Sequence, residues 1–247
     1  MNHSGFHYFF LGFSLIRTKG LKRFVLIPLV INLILFGTAF SWLFSHLGES
    51  IEWILSFIPD YLSWLKDALA YIIWPLAVIT ALFTFAFLFS TIANIIAAPF
   101  NGFLSEKVER HLTGQSINDD GWLDLIKDTP RLLAREWRKI VYYVPRVLIC
   151  LLALFIIPVF GQVIWFLFGA WMMAVQYCDY PFDNHKIDFK PMRQLLKEDR
   201  VTNVSFGMCV SVTSFIPIVN LVVMPVAVCG ATALFVDKYR NTGRIPR

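Results

Sequence analysis

Apolar residues in this chain fall in long blocks separated by short charged stretches, and no single helical or strand period runs evenly through it. Phe24 to Gly48 carries no formal charge over 25 residues. As a helix it would be about 37 Å long, enough to cross a hydrocarbon core of about 30 Å with tilt. Pro28 falls early in this block, where it is expected to kink the helix rather than end it. Ala68 to Ser105 is uncharged for 38 residues, about 57 Å if wholly helical, so part of it must project into water or turn near "AAPFNG". Between these blocks, Ile51 to Leu65 sets Ile51, Ile54, Leu55, Ile58, Leu62 and Leu65 opposite Glu49, Glu52, Asp60 and Asp67, the pattern of an interfacial connector. Phe6, Phe9, Phe10, Phe13 and Ile16 recur at helical spacing, which predicts a short amphipathic helix lying flat in the interface.

The last two blocks differ in kind. Val147 to Cys178 is interrupted by "IPVFGQ" and Val201 to Val236 by "IPIVN". The resulting arms, about 16 to 28 Å long as helices, are short or borderline for a full span. The two interruptions resemble each other, a weak internal repeat that predicts two helical hairpins with a lined cavity between them. Four ordinary short spans that thin the bilayer are the alternative.

Composition supports a membrane protein: 57% of the residues are hydrophobic and only 16% charged, with 24 phenylalanines and eight tryptophans. The net charge of +5 sits on residues that flank apolar blocks, which points to lipid headgroups or a small anion and away from nucleic acid. With two full spans, 21 of the 22 Lys and Arg residues fall on one side, leaving only Lys66 opposite. That side is expected to be cytoplasmic, with both termini on it. The cations near the N-terminus follow "FHYFFLGF" rather than precede it, so no cleaved signal peptide is expected. Cys150, Cys178, Cys209 and Cys229 lie in or beside apolar stretches without metal spacing and read as packing residues.

Motifs narrow the chemistry further. There is no phosphate-binding Walker loop and no Ser-His-Asp or His-Glu-x-x-His spacing. No cofactor is expected, and transport would be passive or ion-coupled. "YCDYPFDNHK" places Asp179, Asp183 and His185 close together, either as backbone-capping turn residues or as a metal or acid/base site. Glu106 and Arg110 stand four apart in the favourable order for a helical ion pair, and Arg146 follows Pro145 at the mouth of the first hairpin. These three are candidates for an ion path, the alternative being surface charge. Arg131, Arg135 and Arg138 share one helical face and suggest contact with anionic headgroups. Finally, "RTKGLKR" packs four cations and a glycine into Arg17 to Arg23. Gly20 permits close backbone approach, and Leu21 and Lys22 start a helix with Arg23 in its first turn. The stretch is either a positive-inside anchor or a site where N–H groups and two cations converge on an anion.

The runs "GLKRFVLIPLVIN", "WPLAVI", "FSTIANIIAAPFNGFLSEKVE", "REWRK", "AWMMAVQYCDYPFDNHK" and "MPVAVCGATALFVDKYR" resemble the CysZ family of bacterial inner-membrane sulfate permeases over nearly the whole chain. The resemblance implies an all-α integral membrane protein with two long transmembrane helices, two half-penetrating helical hairpins and amphipathic interface helices, forming one membrane-embedded transporter domain over residues 1–247. It also implies sulfate uptake for cysteine biosynthesis by a homo-oligomer among membrane lipids. The family's sulfate-binding motif maps onto Gly20, Leu21, Lys22 and Arg23. Lys22 stands where the family often has arginine, which keeps the charge but loses the planar fork. The rival functions are a non-transporting membrane scaffold or assembly factor, and a lipid-modifying enzyme using Asp179, Asp183 and His185.

Overall fold

The computed structural model describes residues 3–18, 20–59, 63–115 and 122–245. Among them there is no strand. Eight helices follow in order: α1 Gly5–Leu15, α2 Lys22–Ser56, α3 Ser63–Thr113, α4 Trp122–Ile156, α5 Pro158–Asn184, α6 Phe189–Glu198, α7 Arg200–Ser214 and α8 Pro217–Phe235, which runs into a π-helical turn at Val236–Arg240. Five stretches among the described residues are long and apolar enough to cross a bilayer: Val25–Ser56, Leu69–Ala86, Ala134–Ile156, Val159–Asn184 and Val222–Arg240.

The blocks became helices largely where expected. α2 continues through Pro28 and on to Ser56. The first half of the expected connector is therefore the end of this helix, while Asp60, Tyr61 and Leu62 lie outside the described residues. α3 does not turn at "AAPFNG": it runs unbroken for 51 residues, so of the two expected outcomes the helix extends beyond the apolar zone. Both predicted breaks are present. α4 and α5 meet at Ile157, and α7 and α8 at Phe215 and Ile216, with Pro158 and Pro217 at the first turn of the following helix. Proline suits that position because its missing N–H would have no partner there.

The chain forms two compact units, residues 27–98 and the remainder. In the first, α2 and α3 share a ladder of rings, with Phe36 against Phe85 at 5.2 Å and Phe89 at 5.0 Å between centroids. They also line an open apolar groove of about 710 Å³ bordered by Trp42, Leu47, Thr80 and Phe85.

In the second unit α1, α5, α7 and α8 pack around Tyr8, Phe9, Phe182, Phe206, Phe235 and Tyr239, all fully buried. Here the expected short N-terminal helix is present, and it packs on the core. α1 buries Gly5, Tyr8, Phe9, Gly12 and Leu15, whereas Phe6 and Phe10 are exposed. The reason is backbone proximity. A Cβ on Gly12 would strike the Val226 carbonyl of α8, and one on Gly207 of α7 would strike Ala170 of α5. Small residues let helices approach closely, which is how helices hold together where lipid removes the hydrophobic drive between them.

Candidate functional site

Four residues at the start of α2 form the first candidate. Gly20 has φ +95°, a left-handed conformation that glycine adopts without strain, and nothing lies within 4 Å of where its Cβ would be. Leu21 donates its backbone N–H to the Thr18 carbonyl at 3.2 Å and buries its side chain in the core of the second unit. α2 begins at Lys22, and the Lys22 and Arg23 side chains are exposed. The first N–H groups of a helix have no intrahelical acceptor and carry the positive end of its dipole. Gly20 thus turns the chain, Leu21 pins it, and an open glycine lies directly before two exposed cations and a helix start.

The expected path residues are placed separately. Glu106 pairs with its neighbour Lys107 at 3.5 Å, and among the described residues no ion pair joins it to Arg110. Arg110 is exposed in the last turn of α3, where a cation faces the negative end of the helix dipole. Arg146 folds back along α4, donating from Nη1 to the Tyr142 carbonyl at 2.7 Å and lying over the Tyr142 ring at 3.9 Å.

The charges that do converge lie elsewhere, and sequence reading missed the pairing. Asp179 accepts from Arg135 Nε at 2.8 Å and Nη2 at 2.7 Å on one oxygen and from Lys139 at 2.6 Å on the other. Arg135 Nη1 reaches Asp183 at 3.1 Å and the Ile187 carbonyl at 2.6 Å. Arg135, Lys139 and Asp179 are buried, so this is an internal clamp between α4 and the end of α5. Arg135 is thereby removed from the proposed headgroup face, while exposed Arg138 pairs with Asp188 at 3.0 Å.

A second buried group joins α3, α5 and the π-turn. Glu109 is fully buried and accepts on Oε1 from His185 Nε2 at 2.8 Å and Arg240 Nη1 at 2.7 Å, while its Oε2 has no hydrogen-bond partner among the described residues. Asp179 and Asp183 therefore serve Arg135, and His185 serves Glu109. The three do not form a common metal or acid/base centre, and no group of three possible metal ligands occurs among the described residues. One signal for the pairing was present: "REWRK" sets Arg135 and Lys139 four apart, as "DYPFD" sets Asp179 and Asp183.

Tyr8, on α1 and outside the five membrane-capable segments, donates to Asp237 at 3.1 Å. Burial, reinforced by the Asp237 charge, raises its phenol above the ordinary tyrosine value.

Comparison with known proteins adds a broader constraint. The sulfate transporter CysZ of Pectobacterium atrosepticum is 55% identical over 242 residues, covering 96% of this chain and 86% of that protein. A family model described as "Sulfate transporter CysZ/Etoposide-induced protein 2.4" matches residues 8–225, from the first buried tyrosine of α1 into α8. On this match across both units, the chain belongs to the sulfate transporter CysZ/etoposide-induced protein 2.4 family.

Proposed function

We propose that this protein is a multi-pass permease that carries sulfate across the bacterial inner membrane to supply cysteine biosynthesis. The observation that carries the reading is the open, left-handed Gly20 directly before the exposed Lys22 and Arg23 at the start of α2, in a chain whose relative is a sulfate transporter. Sulfate would meet the backbone N–H groups of the first turn and the two side chains, with Leu21 holding the loop to the core. Arg23 offers two parallel donors to adjacent oxygens and Lys22 a single point charge. Glu106 and Arg110 are the charged residues of the proposed path; Arg146, folded onto its own helix, is left out of it.

In this reading the two long spans are built from α2 and α3. The α4–α5 and α7–α8 pairs form the two half-penetrating hairpins of one transporter domain. The uneven placement of Lys and Arg puts both termini in the cytoplasm, and the protein works as a homo-oligomer. Against a potential of about 100 mV, a divalent anion moving inward faces roughly 4.6 kcal/mol. Passive uptake therefore requires that assimilation keep internal sulfate low.

The test is radiolabelled sulfate flux into liposomes containing only this protein. Flux that saturates with sulfate and falls in Gly20→Val and Arg23→Ala supports the permease. A correctly inserted protein with no flux above empty liposomes would favour the scaffold.

A further inference from the structure

Two arginines outside the proposed sulfate site converge on one aromatic ring. The guanidinium carbon of Arg146, from α4, lies 3.9 Å from the centre of the Tyr142 ring, and that of Arg193, from α6, lies 4.1 Å from the same centre. They can be no more than about 8 Å apart, the sum of those distances. The ring is itself fixed, because Trp171 Nε1 donates to the Tyr142 hydroxyl at 3.1 Å. Arg193 is also held over Phe189 at 5.1 Å.

Neither arginine has a carboxylate partner among the described residues, although Arg135, Arg138, Lys139, Arg240 and Arg244 all have one. Among the described residues, Arg193 Nε is buried with no hydrogen-bond partner, and so is the hydroxyl of Tyr143, the next residue to the shared ring. Two preorganised cations with unused donors are thus presented together, and the described residues supply no anion to them. Cations held in or beside a membrane segment without a protein anion call for one from the surroundings.

The neighbouring surface indicates what carries that anion. Beyond Arg146, α4 exposes Leu148, Ile149, Leu152 and Phe155, with Ile149 three residues on from Arg146 on the same side of the helix. A free oxyanion would use the arginines alone. A phospholipid uses both features, its phosphodiester on the guanidinium pair and its acyl chains along α4. We propose that Arg146 and Arg193, mounted on Tyr142, form a binding site for the phosphodiester headgroup of an anionic phospholipid. The site requires a membrane-embedded chain but does not depend on sulfate being the transported ion.

The experiment is native mass spectrometry of the full-length protein after delipidation. Phosphatidylglycerol and phosphatidylcholine are titrated separately, and inorganic sulfate is added as a competitor. The wild type is expected to retain phosphatidylglycerol at least tenfold more strongly than phosphatidylcholine. Arg146→Gln should reduce that preference severalfold and Arg146→Gln/Arg193→Gln abolish it. Arg146→Lys/Arg193→Lys should restore part of it. Arg146→Gln is the safeguard, because its side chain is exposed and its loss leaves the core intact. Equal phosphatidylglycerol retention by wild type and Arg146→Gln overturns the proposal. So does a site that takes up sulfate but shows no preference between the two lipids, because it would then be a free-oxyanion site.

Discussion

Removing the Asp179 carboxylate should be the most damaging single change among the acidic residues paired to α4. In the wild type it neutralises Arg135 through two nitrogens and Lys139 through a third, at 2.6 to 2.8 Å. In Asp179→Ala, Arg135 keeps Asp183 and the Ile187 carbonyl, but Lys139, 4% exposed, keeps only Glu136, 59% exposed. Leaving one side of a buried pair uncompensated costs about 3–5 kcal/mol. Asp183→Ala removes one contact from a guanidinium that retains Asp179, for about 1–3 kcal/mol. Asp188→Ala breaks the exposed pair with Arg138 and should cost under about 1 kcal/mol. The measurement is reversible unfolding in mixed micelles with increasing sodium dodecyl sulfate, followed by circular dichroism. In the Asp179→Ala/Lys139→Met pair, the double variant should cost less than the sum of the singles, as expected for residues in direct contact. If Asp179→Ala unfolds at the same detergent fraction as Asp188→Ala, the buried clamp does not contribute as its geometry implies.

Three further outcomes follow from the same structure. Arg23→Ala should weaken sulfate binding about ten- to a hundredfold, the loss of roughly 1.5–3 kcal/mol for a charge-assisted hydrogen bond, and Gly20→Val should weaken it by straining the left-handed turn; calorimetry with chloride as control reads both. Because burial and Asp237 raise the Tyr8 phenol, the folded state holds that proton more tightly than the unfolded one. Its contribution is complete below the ordinary tyrosine value of about 10 and declines as pH rises beyond it, so Tyr8→Phe should flatten the alkaline fall in Tm above about pH 10. In a cysteine-free background, Ser63→Cys should react with an impermeant thiol reagent only from the periplasm and Thr242→Cys only from the cytoplasm; equal labelling of each from both faces would refute a single orientation.

What could be read from the sequence was local. Long uncharged runs fix helices because backbone groups in lipid must be satisfied within the segment, and prolines at 158 and 217 mark where new helices begin. Gly20 was legible as a place for close backbone approach, while its left-handed turn at φ +95° came with the structure. Long-range partnerships were not legible. The sequence separation of 44 between Arg135 and Asp179 is closed only when α4 folds back on α5. The stripe of α1 predicted an apolar face, but not that Phe9, Phe13 and Ile16 pack on the core while glycines at 5 and 12 approach α7 and α8. Periodicity reports which face is apolar, and backbone approach decides which apolar face is buried.

The placement of charge bears on how a permease can bind sulfate without trapping it. In the buried clamp, two cations, Arg135 and Lys139, stand against two carboxylates, Asp179 and Asp183. Near balance leaves little field to attract a divalent anion, so the clamp can stiffen the α4–α5 pair without competing for substrate. Lys22 and Arg23 are instead exposed at the start of a helix. In water, one charge pair at about 4 Å gains only about 1 kcal/mol, so each cation offers a divalent ion about 2 kcal/mol. The N–H groups and the helix dipole then supply geometry and a modest further gain. If sulfate binds there as proposed, a site of that strength collects it and still releases it, which conduction requires. Burying the same cations would tighten binding and slow release. Substitutions that reduce exposure at Lys22 without removing its charge should therefore raise sulfate affinity while lowering flux through liposomes, whereas an anchor role would leave both unchanged.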